Sequence, residues 1–128
     1  MFGNVVANEV HAGAAGLVDA WFAAWAEPDE AMRAQTLCRI AAPAVRFRDR
    51  FSLLEGTDDL TAHIGASQRF MPGMRLERRG AIRHSQGTAL ADWSARGSDG
   101  QERDSGTSVF TLGADGRIEA VTSVRNER

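Results

Sequence analysis

The chain has 128 residues, 43% of them hydrophobic and 25% charged, with a formal net charge of −2. That length makes one domain with enough interior to bury a core. The weak acidity argues against nucleic acid or an anionic membrane surface as the main partner.

The N-terminal segment MFGNVVANEV has no basic stretch leading into an apolar run, so no signal peptide is expected. No apolar stretch anywhere approaches the roughly 18 residues that a membrane span needs. Val6, Val10, Ala14, Leu17, Val18, Trp21, Phe22 and Trp25 recur at three- and four-residue spacing. They predict a helix over 8–26 with one apolar stripe, stopped by Pro28. Asp29 is then placed to cap a second helix running to Ile40, with Met32, Leu37 and Ile40 facing inward. That helix carries the single cysteine, Cys38, which cannot form an internal disulfide and fits a reducing cytoplasm. All the basic residues are arginine, which, beside so much alanine and glycine, reads as high-GC bacterial coding bias.

Pro43 is expected to end the second helix and open a strand that reaches R-F-R-D-R-F at 46–51. In an extended backbone the strict alternation puts Arg46, Arg48 and Arg50 on one face and Phe47, Asp49 and Phe51 on the other. Three arginines belong in water, so the phenylalanine face should point inward and carry Asp49 with it. A carboxylate on an apolar face is costly unless it is paired, protonated or used. The strand is expected to resume at Leu53–Glu55 after a turn. Gly56-Thr57 followed by Asp58 and Asp59 is a helix start with a threonine cap and an acidic first turn. This third helix should run to Phe70 and bury Leu60, Ile64, Ser67 and Phe70, with His63 at the edge of the stripe.

Pro72-Gly73 breaks that helix, and a strand meander follows over 74–84, 88–96, 101–112 and 117–124. Ser85-Gln86-Gly87, Ser98-Asp99-Gly100 and Gly113-Ala114-Asp115-Gly116 supply its hairpin turns. Helices first and a long antiparallel sheet afterwards predict an α+β domain covering 1–128. Three N-terminal helices packed on a curved, mostly antiparallel sheet would form a cone-shaped α+β barrel, leaving a pocket between them.

This order of elements resembles the nuclear transport factor 2-like superfamily, which includes ketosteroid isomerases and SnoaL-like polyketide cyclases. The resemblance rests on WFAAWAEPD (21–29), AVRFRD (44–49), EGTDDLTAHI (55–64) and SVFTLGADGRIEAVT (108–122), and on the spacing between them. It implies a homodimer through the sheet and a small hydrophobic molecule as ligand, with no cofactor. It puts Asp49 where the isomerases have a carboxylate that moves a proton. Trp21 falls at their oxyanion-hole tyrosine, Ser108 at the protonated aspartate that completes the hole, and His63 at an aromatic residue of the pocket. Both donors are changed, so the resemblance implies a site other than a steroid isomerase's.

The candidates follow from both lines of reading. Asp49, expected to lie inward between phenylalanine rings, is the candidate acid or base; a structural ion pair with an arginine, or a hydrogen bond to a buried backbone group, is the plainer alternative. His63 can share a proton with it as a dyad, or simply edge an apolar helix face. Trp21, Trp25, Phe47, Phe51, Phe70, Ser108 and Phe110 are expected to contact the ligand, although core packing is the commoner fate of such aromatics. His84 is expected to be exposed beside a turn, and His11 is a weaker candidate than either. The scattered histidines and lone cysteine give no metal-ligand spacing.

On the strand at 88–96, apolarity turns the Trp93 face inward, whereas spacing to the family turns the Asp92 face inward. On the next strand Asp104, Gly106, Ser108, Phe110 and Leu112 share one inward face. The cluster Arg75, Arg78, Arg79 and Arg83 is read as a solvated or dimer-facing surface. The implied function is proton-transfer chemistry (isomerase, cyclase or dehydratase type) on a hydrophobic carbonyl-containing ligand. The alternatives are a non-catalytic module binding a small hydrophobic ligand, and a dimerisation domain with a filled pocket.

Overall fold

The computed structural model describes residues 2–127, with side chains from residue 13 onward. Three helices lead the chain: α1 (Phe2–Ala26), α2 (Glu30–Ile40) and, after two strands, α3 (Thr57–Phe70). The strands are β1 (Ala41–Arg48), β2 (Leu53–Glu55), β3 (Arg75–Ser85), β4 (Thr88–Arg96), β5 (Glu102–Leu112) and β6 (Ile118–Arg125). They form one sheet in the order β2-β1-β6-β5-β4-β3, antiparallel throughout except for the β1–β6 pair. The expected α+β cone is therefore what the chain forms.

Helix α1 starts at Phe2, before the expected position 8. The side chains of Val6, Val10 and His11 lie outside the described residues. From Ala14 the stripe is as expected: Ala14, Val18, Trp21 and Phe22 are buried, and Leu17 and Trp25 pack against them. Asp29 caps α2, its Oδ1 accepting the Met32 N–H at 3.0 Å. Met32 itself is 53% exposed, contrary to expectation, while Arg33 is buried. The reason is phase: positions 33, 37 and 40 lie on one helical face and position 32 does not.

Arg33 acts as a staple. Its Nη1 donates to the carbonyls of Glu27 and Pro28 at 2.8 and 3.1 Å and to Gln68 Oε1 at 3.3 Å. Gln68 in turn donates to the carbonyls of Trp25 and Glu27, so the end of α1, the start of α2 and the last turns of α3 are tied together. The Trp25 carbonyl is one that helix α1 leaves unsatisfied at its C-terminus, and those of Glu27 and Pro28 belong to the connection that follows it.

The switch from α2 to β1 takes one residue. Ala41, the C-cap, is already extended at φ −120° and ψ 148°, so the strand starts before Pro43 and not at it. Pro43 lies where the β1–β6 register shifts, a position that asks for no ladder N–H. Val45 and Phe47 are buried while Arg46 and Arg48 are exposed, which is the expected alternation. It ends at Arg48. Phe51 is 80% exposed and does not enter the core, because the chain leaves the strand before reaching it.

The N-cap of α3 is Gly56, not Thr57. At φ 94° the backbone adopts a conformation that favours glycine, and no side chain caps the helix. Leu60 and Ile64 are buried, but Phe70 is 83% exposed.

In the meander, Gln86 and Gly87 both have positive φ, as a two-residue type I′ hairpin requires. His84 is half-buried against this turn, its Nε2 accepting the Gly87 N–H at 3.2 Å, and so is not exposed as expected. On β4, Ala89, Ala91, Trp93 and Ala95 are buried, so the Trp93 face points inward. Asp92 lies on the opposite face, bonded to Arg83 at 2.9 Å and to Thr107 Oγ1 at 2.8 Å. Gly106, Ser108, Phe110 and Leu112 form the inward face of β5. Register shifts in β3 between Arg79 and Arg83 and at the Ala95/Arg96 step bend the sheet around the helices. Arg78 pairs with Asp19 of α1, whereas Arg79 and Arg83 pair with Glu102 and Asp92 on the other face of the sheet, so the cluster is a set of separate solvated ion pairs and not one basic surface.

The core forms where α1 lies over the concave face. Trp21 packs on Phe47 and Phe110, with ring centroids 5.8 and 6.0 Å away, and Phe22 meets Phe110 edge-on at 6.2 Å. Such pairs each contribute about 0.5–1.5 kcal/mol beyond the area they bury.

Candidate functional site

The helices do not fill the cone. A cavity of about 590 Å³ remains between α1, α3 and the concave face of the sheet. Its aromatic wall is Trp21, Phe22, Trp25 and Phe47, with Trp93 opposite and Met74 and Leu76 on the β3 side. Asp49, His63 and Ser108 all border it, as do the exposed Phe51 and Phe70 at its mouth. Phe110 does not: fully buried, it backs the wall behind Trp21 and Phe22.

Asp49 is held by the bend that follows β1. Its Oδ1 accepts the Phe51 N–H at 2.9 Å, and its own N–H donates to the Ser52 carbonyl at 3.1 Å. This Asx-type turn uses one carboxylate oxygen locally. Asp49 is half-buried, next to Phe47 in sequence but not enclosed between two rings, since Phe51 turns outward. Arg50 folds back over the Phe51 ring at 5.5 Å, so the rim of the cavity here is a cation–π pair.

His63 sits on the cavity face of α3, its ring against Trp25 at 5.9 Å and Phe47 at 6.0 Å. It is half-buried, and no direct hydrogen bond joins it to Asp49. The two groups therefore share a cavity without forming a preassembled dyad.

The floor carries a polar pair that sequence reasoning half found. Ser108 Oγ lies 3.1 Å from Ser123 Oγ, across the β5–β6 pairing that sets Ser108 opposite Ser123. Ser123 was legible only from that pairing. Near the mouth Asp104 faces the cavity as its strand parity implies, with Oδ2 bonded to Arg125 at 2.7 Å and Oδ1 accepting the Ser105 N–H. Arg103, also at the cavity, pairs with Asp99. Two wall tryptophans, Trp25 and Trp93, have indole N–H groups that are buried without a hydrogen-bond partner. Among the described residues, no group of three His, Cys, Asp or Glu side chains is placed to hold a metal ion. No described helix is long and apolar enough to cross a membrane.

The fold has close counterparts among solved structures. A SnoaL-like family protein from Agrobacterium tumefaciens, provisionally assigned as an isomerase, superposes with a TM-score of 0.83 at 26% identity, over 88% of this chain and 96% of that one. A provisionally assigned polyketide cyclase from Sinorhizobium meliloti gives 0.68 at 19% identity, over 84% and 93%. A SnoaL-like protein of unknown function from Burkholderia thailandensis gives 0.69 at 18%, over 91% and 97%. The last two, at such identity, are similar in fold alone. Among curated proteins, none matches the sequence. The SnoaL-like domain family model matches residues 18–121, from within α1 into β6, and the chain belongs to that family.

Proposed function

We propose that the protein is a small-molecule enzyme that moves a proton on a hydrophobic carbonyl compound bound in the cavity, with Asp49 as acid and base. The observation that carries this reading is Asp49 on the border of a cavity of about 590 Å³ whose surface is mostly apolar. Trp21, Trp25, Phe47, Phe51 and Phe70 would embrace an apolar ligand, with Phe110 backing that wall and Ser108 offering a polar contact. At the rim of that cavity, the carboxylate oxygen left free by the local turn is a base within reach of a bound ligand. Asp49 would take a proton from the carbon next to the carbonyl, and the C–H electron pair would move into an enolate. Return of that proton at a second carbon gives an isomer. Delivery to a leaving hydroxyl gives a dehydration, and attack of the enolate carbon on a second carbonyl gives a ring. His63, beside Phe47 and Trp25 on the same cavity, is another titratable group that the intermediate would meet.

A specific observation favours a second reading. Because no hydrogen bond joins Asp49 to His63, the cavity also suits a non-catalytic module in which Asp49 only anchors a small hydrophobic ligand. The dimer belongs to the same proposal. Leu90, Val109 and Val124 give the convex face of the sheet its apolar positions, with Val124 56% exposed. The protein would work as a cytoplasmic homodimer without cofactor, nucleic acid or membrane.

The test is mass spectrometry of small molecules that co-purify with the wild type and with Asp49→Asn. A carbonyl compound retained by the wild type and altered or lost in the variant supports the reading. The same compound retained equally and unchanged by both counts against a central role for the carboxylate.

A further inference from the structure

We infer that the ligand carries a carboxylate and that Arg50 receives it at the mouth of the cavity, which makes the substrate class a hydrophobic keto acid. The inference rests on the cavity being the ligand site and adds the group that sets the ligand's direction in it.

Arg50 borders the cavity beside the exposed Phe51. Among the described residues its guanidinium forms no ion pair and donates no hydrogen bond. Asp49, its neighbour in the sequence, does not pair with it, and Asp49 Oδ1 accepts the Phe51 N–H instead. What holds Arg50 is the Phe51 ring, whose centroid lies 5.5 Å from the guanidinium carbon. Attraction to a ring face leaves the fork of N–H donors uncommitted, and that planar fork fits a carboxylate in bidentate fashion.

The other arginines at the cavity are already engaged. Arg125 is bonded to Asp104 at 2.7 Å, and Arg103 is paired with Asp99. Taken together, Arg50, Arg103 and Arg125 outnumber the cavity's carboxylates, Asp49 and Asp104, by one. The cavity border is therefore positive on a chain whose net charge is −2. One ligand carboxylate balances that excess, whereas a phosphate monoester, at about −1.5 to −2, overshoots it. The rest of the surface is mostly apolar, so the fitting ligand has an apolar body within the wall of Trp21, Trp25 and Phe47 and its anionic end at the rim. Arg50 also offsets the repulsion that a second carboxylate would otherwise meet from Asp49.

Being unpaired does not by itself single out Arg50. Arg46 and Arg48 on β1 are also exposed and without ion pairs, but neither borders the cavity. They serve as controls that remove the same charge from a nearby place.

The test compares 2-naphthylacetate with 2-naphthylacetamide, the same body with a neutral end, by calorimetric titration. Wild-type protein should bind the acid about three- to tenfold more tightly than the amide at low salt. The preference should shrink at about 1 M sodium chloride, where the screening length is about 3 Å. Arg50 is exposed, so Arg50→Gln removes the charge without disturbing the core; it should abolish the preference and leave the amide's affinity unchanged. Arg48→Gln should keep the preference. If wild type binds acid and amide equally, the carboxylate assignment is overturned while the cavity stands as a binding site. If Arg50→Gln and Arg48→Gln lower the preference alike, the effect belongs to the diffuse field of the strand, and the assignment to Arg50 is overturned. If neither compound binds, the cavity reading and the carboxylate assignment fall together.

Discussion

Gly106→Ala is a single-methyl change whose sign the geometry fixes. Gly106 lies in the interior of β5 with Trp93 across its face, and an added Cβ would fall well inside 3.0 Å of both Trp93 Cζ2 and the Val124 carbonyl oxygen. The tryptophan could tilt, but the Val124 carbonyl belongs to the neighbouring strand β6 and can only move with the sheet. Overpacking of this kind costs about 1–3 kcal/mol, offset in part by about 0.4–1 kcal/mol from the stiffer unfolded chain. A net loss of about 1–2 kcal/mol should lower the melting temperature by roughly 3–10 °C for a domain of this size. Gly16→Ala is the internal control: it lies in α1 with nothing within 4 Å of the new methyl. Removing a helix-interior glycine there should stabilise by about 0.5–1 kcal/mol. Thermal unfolding followed by circular dichroism reads both, and tryptophan fluorescence reports the displacement of Trp93. Equal melting temperatures for Gly106→Ala and wild type, with unchanged fluorescence, would refute the packing argument.

The remaining substitutions test the scaffold that holds the cavity open. Arg33→Met removes the staple, leaving the Pro28 carbonyl without its donor and the Glu27 carbonyl with Gln68 alone, so urea unfolding should show a loss of about 1–3 kcal/mol; an unchanged midpoint would show that water replaces the guanidinium at no cost. Phe110→Ala empties the fully buried position behind Trp21 and Phe22 and should cost about 3–5 kcal/mol. A loss below about 1 kcal/mol there would mean that the wall is not propped from behind.

Much of the scaffold was legible because its signals are local and periodic. The stripe from Ala14 to Trp25, the Asp29 cap, the Gln86-Gly87 turn and the alternation of Val45 to Arg48 each follow from spacing and turn chemistry. Errors arose where a pattern was extended past the point at which the backbone changes state. R-F-R-D-R-F reads as one strand, but Asp49 prefers to bond the Phe51 N–H, and that local bond turns the chain and throws Phe51 outward. Met32 was chosen for its apolarity when helical phase selected Arg33, whose charge is tolerated inside because helix-end carbonyls await it. On β4 apolarity was the better guide, since four consecutive alternate positions, Ala89 to Ala95, outweigh a spacing argument from relatives. Ser123 and the orphaned Trp93 N–H were beyond the sequence altogether. Both depend on which residues the β4–β5 and β5–β6 registers set side by side, and register is a long-range property.

The central claim is that Asp49 moves a proton on a carbonyl compound held in the cavity, and hydrogen–deuterium exchange tests it without knowledge of the natural substrate. 2-Tetralone, a two-ring ketone with exchangeable hydrogens beside its carbonyl, is incubated with protein in D₂O, and loss of those proton signals is followed by NMR. Wild-type protein should accelerate the exchange, and Asp49→Asn should reduce the protein-catalysed rate by about 10²–10⁴-fold while still binding the ketone. Exchange at the same rate with wild type and variant, both with ketone bound, would contradict the claim.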